Sequence, residues 1–144
     1  MDVALRFNSW LFSGALLGGL AVATGAFGAH GLKAQLAADG ALDATDEQRL
    51  ANWETAARYQ MYHALALMTV GLLTSREPSA FLNVAGASFT LGTIIFSGCL
   101  YALVLTGERR LGAIVPIGGG LLIAGWVCLT IAATGNRSRG APHL

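Results

Sequence analysis

At 144 residues the chain has the length of one domain, yet 54% of it is apolar, only 12% is charged and 19 residues are glycine, where soluble chains carry about 25% charged residues. A formal net charge of +1, with no Lys/Arg cluster interleaved with aromatic residues, gives no electrostatic case for nucleic acid, and that class is set aside. Four runs carry no Asp, Glu, Lys or Arg, at 7–32, 59–75, 78–107 and 111–136; crossing a hydrocarbon core takes roughly 17 to 25 residues, so three are ample and the second is just long enough.

The first apolar run, about 10–29, follows a single basic residue, Arg6, and has small residues at Ala23, Gly25 and Ala26 that would suit a signal-peptide cleavage site. Its length exceeds the roughly 7 to 15 apolar residues of a signal core, and it is read as the first spanning helix. Gly14, Gly18, Ala21 and Gly25 form a stripe of small residues along it. Such a stripe lets two helix backbones approach closely in lipid. Gly25, Gly28 and Gly31 are expected to loosen or turn the helix at its end.

From Lys33 to about Asn52 the chain is polar, with Leu32, Leu36 and neighbouring alanines suited to a short surface helix broken near Gly40. Thr45-Asp-Glu-Gln48 has the form of a capping box, which predicts that the second long helix starts near Asp46. Trp53 is expected to sit at the membrane interface, with Glu54 and Arg58 pairing one turn apart. The span itself runs over about 58–73. A short turn at 74–79 demands an antiparallel neighbour; the third span covers about 80–106 and the fourth about 111–134. The fourth contains Pro116, Gly118-Gly-Gly120 and Ala124, so its first half is expected to be kinked or tightly packed. The tail after Asn136 is expected to fray.

The expected architecture is therefore all-α: one membrane domain over 1–144, a bundle of four transmembrane helices with a short surface helix between the first two. With four spans both termini share a side with Arg6, Arg76, Arg137 and Arg139, against Lys33, Arg49, Arg58, Arg109 and Arg110 opposite. The count is balanced. Because Arg49 and Arg58 stand among Asp46, Glu47 and Glu54, both termini are assigned to the cytoplasm. Cys99 and Cys128 lie in adjacent antiparallel spans at heights differing by roughly 15 Å, too far for a disulfide.

At 54–67 a polar, titratable segment runs directly into an apolar helix, with Tyr59, Tyr62 and His63 on one face. That face is expected to look at protein. Four blocks then carry a family likeness: Gly25-Ala-Phe-Gly-Ala-His30-Gly-Leu32; Thr55-Ala-Ala-Arg-Tyr59-Gln-Met-Tyr-His63-Ala-Leu65; Phe96-Ser-Gly-Cys-Leu-Tyr101; and Pro116-Ile-Gly-Gly119 followed by Gly125-Trp126. On these the chain resembles the small membrane-protein family called domain of unknown function 423, related to the eukaryotic transmembrane protein 256. The resemblance implies a multi-span membrane protein without an assigned activity; the inner membrane of a bacterial cell is the expected location.

The topology puts His30, Tyr59, Tyr62, His63, Ser97, Cys99, Tyr101 and Pro116 near one membrane face, within roughly 13 Å of depth, as a candidate polar pocket. One reading is structural, since unpaired polar groups in hydrocarbon are costly. Another is a ligand or ion pathway, because an ionisable residue inside a span is a site hypothesis by default. Metal or haem ligation would rest on His30 and His63 alone, with no third ligand motif, so no metal site is assigned and the cofactor is unknown. Catalytic residues are not assigned either: Cys99 has no nearby acid to orient a histidine, and Gly118-Gly-Gly120 lacks the following Lys and Ser/Thr of a phosphate loop. The leading expectation is a non-enzymatic binding or accessory component of the membrane. The alternative is a small transporter or proton relay using His63 and the tyrosines. Expected partners are the lipid bilayer and a second copy or another membrane subunit, since the glycine faces favour association.

Overall fold

Asp43 sets the start of the longest helix. In the computed structural model, which describes residues 8–135, its carboxylate accepts from the Asp46 N–H at 2.8 Å, while Asp46 Oδ2 accepts from the Asp43 N–H at 3.5 Å. This reciprocal box satisfies two otherwise orphaned donors. The box therefore lies two residues before the expected Thr45–Gln48 pair. Thr45 is already inside the helix, where its side chain cannot cap.

The described residues form five α-helices and contain no strand: α1 (Ser9–Phe27), α2 (Lys33–Leu36), α3 (Ala44–Arg76), α4 (Ala80–Thr106) and α5 (Arg110–Gly135). The glycines after Gly25 loosen the chain without turning it. Gly28–Leu32 forms a π-helical segment, and α2 follows it directly, so the expected separate surface helix is the last turn of a rod running from Ser9 to Leu36. A 3-10 turn at Ala37–Asp39 and Gly40, at φ 142°, end that rod. Between α4 and α5 the reversal depends on Gly107, whose φ of 71° lies in the left-handed region that other residues enter at a cost.

Successive long helices are neighbours: α1 packs on α3, α3 on α4 and α4 on α5. Asn8 shows that the first pair is antiparallel, because its side-chain amide donates to the Gly71 carbonyl and to Ser75 Oγ, both at 2.7 Å, while the other end of α1 meets Trp53. The expected close approach of the α1 stripe is present. A Cβ on Gly14 would stand 2.7 Å from the Ala64 carbonyl oxygen, and Ala21 is buried. On α5 the same job falls to Gly118 and Gly125, where a Cβ would meet the backbone of Phe96 and the ring of Phe89. The expected contact residue Gly120 faces open space.

Two cores result. The larger gathers Ala66, Leu67, Val70, Leu82, Ala85, Phe89 and Leu122; the smaller joins Leu32, Trp53 and Val104. The smaller core places the end of the first rod, the lower half of α3 and the end of α4 at one face of the bundle. Trp53, expected at the membrane interface, is only 5% exposed, so its ring packs inside the bundle. The Glu54–Arg58 ion pair forms as the spacing predicts.

Three helices are long and apolar enough to cross a membrane: Ser9–Leu36, Ala80–Thr106 and Arg110–Thr134. The expected fourth, in α3, is long enough but not apolar enough to qualify, because Asp46, Glu47, Arg49, Glu54 and Arg58 occupy its first half and Tyr59, Gln60, Tyr62 and His63 make the uncharged stretch 59–75 more polar than the other three. Arg6, Arg137, Arg139 and the tail expected to fray lie outside the described residues.

Candidate functional site

The polar residues of the sequence pattern separate into two groups. The first is a hydrogen-bonded chain joining α1, α3 and α4. Trp53 donates its indole N–H to the Thr24 carbonyl at 2.7 Å, and Thr24 Oγ1 lies 2.8 Å from the Tyr101 hydroxyl. Tyr101 also donates to Gln60 Oε1 at 3.1 Å; Gln60 Nε2 donates to the Leu17 carbonyl at 2.9 Å. The rings of Trp53 and Tyr101 lie 4.6 Å apart. Above this chain Ser97, 2% exposed, donates to the Ala56 carbonyl at 2.8 Å. Every link lies between side chains and carbonyls of packed helices, which makes the set a clamp.

The second group lines a cleft of 440 Å³ between α3 and α5, formed by Tyr59, Tyr62 and His63 on one side and Gly119, Leu122, Ile123 and Trp126 on the other. Phe89 and Phe96 of α4 back it. The Tyr59 ring stacks on Phe96 at 4.9 Å, and Phe89 meets both His63 at 5.6 Å and Trp126 at 5.2 Å. His63 is buried at the rear, with Nδ1 2.7 Å from the Tyr59 carbonyl and Nε2 accepting the Trp126 indole N–H at 3.3 Å. A carbonyl can only accept, so Nδ1 carries the proton and Nε2 the lone pair. Both nitrogens of the neutral ring are thereby occupied. The hydroxyls of Tyr59 and Tyr62, on residues 40% and 53% exposed, make no hydrogen bond to any described residue.

His30 joins neither group. It is exposed in the π-helical segment, next to Gly28, which packs against Trp53, and Trp53 precedes His63 by ten residues or about 15 Å of helix. The two histidines therefore do not form a ligand pair. Cys99 is half-buried, and Cys99 and Cys128 are free thiols, as the predicted height difference requires. Pro116 is exposed on α5. Among the described residues no three His, Cys, Asp or Glu side chains stand close enough to hold a metal ion.

Residues 24–119 match the family described as Protein of unknown function (DUF423). The chain belongs to that family. This DUF423 protein is 46% identical over 123 residues to a UPF0382 membrane protein of Staphylococcus epidermidis, which covers 85% of the chain and 93% of the relative. A UPF0382 membrane protein of Staphylococcus haemolyticus matches at the same identity and coverage, and one of Staphylococcus aureus is 47% identical over 123 residues, again 85% and 93% of the two chains. No solved structure matches. The resemblance drawn from the four sequence blocks is thus confirmed, and the DUF423 chain is a membrane protein of a family without an assigned activity.

Thr24, Gln60 and Trp126 are the site residues that the sequence pattern did not single out. Gln60 carried a usable signal, as an amide inside an uncharged run between Tyr59 and His63. Thr24 carried none, and Trp126 stood only in the Gly125-Trp126 block of the family likeness. Each meets its partner 77 or 63 positions away, a pairing that depends on helix rotation.

Proposed function

We propose that this DUF423 protein is a non-enzymatic binding component of the membrane, with α3 as its fourth span and the α3–α5 cleft as its binding site for an apolar molecule. The cleft carries the reading. It is open, walled by four aromatic residues and two aliphatic side chains, and its histidine is already satisfied by protein groups. Such a surface favours shape and apolar contact over proton transfer or metal ligation.

Support for the fourth span comes from Leu65, Leu72 and Leu73, which α3 exposes as α1, α4 and α5 expose their own large apolar side chains. A helix buried between two spans can bring its charged half to the headgroup region and keep an apolar rim in the hydrocarbon. The proposal includes a bacterial inner membrane with cytoplasmic termini, and association with a second copy or another membrane subunit. Ala15, Gly19 and Ala23, exposed and four apart on α1, support that association. The relay alternative is disfavoured, because the described hydrogen-bonded chain stops at His63 and Trp126 and reaches no group nearer the opposite face.

Native mass spectrometry of protein released from mild detergent tests the reading. Wild type is expected to carry a co-purified molecule of lipid mass, which Gly119→Leu, placed in the cleft wall, removes without loss of helical content. A bare wild type, or a filled variant carrying the same load, would overturn it.

A further inference from the structure

A second hollow opens on the same face of α3, one stage nearer the end of the bundle. It has a volume of 580 Å³ and is lined by Thr45, Gln48, Arg49 and Asn52 of α3, Leu103 and Val104 of α4, and Gly107 and Arg109 of the following turn. Thr45, Gln48, Asn52, Tyr59 and Tyr62 follow one another at steps of 3, 4, 7 and 3 residues, which is one stripe of a helix. The hollow and the aromatic cleft share no lining residue; both open along this stripe of α3, and the stripe with its two openings is the furrow.

Its charges are arranged unequally. Arg49 is already held, donating to the Val104 carbonyl at 2.9 and 3.3 Å and standing 3.8 Å from Asp46. Arg109 has no hydrogen bond or ion pair from its guanidinium to any described residue. Gln48 donates to Asn52 Oδ1 at 2.9 Å, which leaves the Asn52 amide N–H groups free to donate. The upper hollow thus offers an uncompensated guanidinium and neutral donors, and the lower cleft offers rings and aliphatic carbons. From Asn52 to Tyr59 is about 10 Å along the helix and to His63 about 16 Å; a single leaflet of hydrocarbon is about 15 Å deep.

From this juxtaposition we propose that the furrow holds one anionic phospholipid, its phosphate at Arg109 with Asn52 and Thr45 and an acyl chain in the cleft between Tyr62, Gly119 and Trp126. This rests on the binding role of the cleft and adds the chemical class of the ligand. A monoanionic phosphodiester matches the one unpaired charge of the mouth, and guanidinium forks suit phosphate oxygens. The length of the furrow matches a chain that starts at the headgroup and ends near mid-bilayer.

The test is titration of delipidated full-length protein in mild detergent with phosphatidylglycerol or phosphatidylcholine bearing the same chains, counting bound lipid by native mass spectrometry. Wild type is expected to take up phosphatidylglycerol at a concentration about ten-fold lower than phosphatidylcholine. Arg109→Gln, an exposed position, is expected to abolish that preference and leave phosphatidylcholine uptake unchanged. Gly119→Leu is expected to abolish uptake of both, and Ile123→Trp supplies the same filling if the first variant does not fold. Equal uptake of the two lipids by wild type, or a preference that survives Arg109→Gln, overturns the headgroup assignment while the cleft still binds. No uptake of either lipid, or a second copy of the chain displaced by Gly119→Leu, overturns the lipid and the role of the cleft together.

Discussion

The indole of Trp126 donates to the imidazole of His63 at 3.3 Å across the gap between α5 and α3. That contact fixes the histidine tautomer, because the other ring nitrogen faces the Tyr59 carbonyl at 2.7 Å. Nitrogen NMR of histidine-labelled protein in detergent should therefore show His63 with Nδ1 protonated and Nε2 as a bare acceptor. Trp126→Phe keeps an edge-on ring contact with Phe89 and removes the donor. It should shift the Nε2 resonance and lower stability by about 0.5–1.5 kcal/mol. An unshifted Nε2 would mean that the ring is oriented otherwise.

Tyr101 is the junction of the clamp, bonded to Thr24 and to Gln60. Tyr101→Phe should cost about 1 kcal/mol, and Gln60→Leu more, since it also removes the side-chain donor to the Leu17 carbonyl. In a double-mutant cycle the two losses should fall short of additivity by about 0.5 kcal/mol or more. Strict additivity, read from chemical unfolding in detergent, would show that the shared bond contributes nothing.

Gly14 and Gly19 make a paired test of the α1 stripe. Gly14→Ala puts a methyl 2.7 Å from the Ala64 carbonyl and should destabilise by about 1–3 kcal/mol as α1 is forced off α3. Gly19 has open space around its missing Cβ. Gly19→Ala should leave the monomer fold as stable or up to about 1 kcal/mol more so, from helix propensity. Equal thermal midpoints for the two variants would contradict the packing described.

Thr93 is 2% exposed, and its hydroxyl has no hydrogen-bond partner among the described residues. Most helical threonines and serines of this chain bond back to a carbonyl one turn earlier, as Thr90 does to Gly86 at 2.9 Å. Thr93→Val keeps the shape and removes a buried polar group, so it should raise stability by about 1 kcal/mol. A loss of similar size in a thermal melt would reveal a partner for that hydroxyl.

Helices and their breaks were legible because they depend on local chemistry. Uncharged runs, Pro78 after α3 and Gly107 after α4 mark the reversals directly, and the Glu54–Arg58 pair follows from spacing alone. Small local choices were not legible. Asp43 rather than Thr45 caps α3, and of the two outcomes expected of the glycines at 28 and 31, loosening and turning, only loosening occurs, since a π-helical segment keeps backbone hydrogen bonds that a turn would lose.

By itself the sequence determined an all-α membrane protein of a known family, the order of its helices, and which ends of them share a face. Those follow from run lengths, turn lengths and backbone hydrogen bonding, all of which act between near neighbours. Only the tertiary structure decided that the polar residues form two groups instead of one. Tyr101 and Ser97 turn toward α1 and α3 as a clamp, His63 turns toward Trp126 in an open cleft, and His30 remains outside both. The reason is rotation about the helix axis: each residue turns the side-chain direction by about 100°, so depth alone cannot say which neighbour a side chain meets. That angle is set by where glycine lets two backbones touch, at Gly14 against Ala64 and at Gly118 against Phe96.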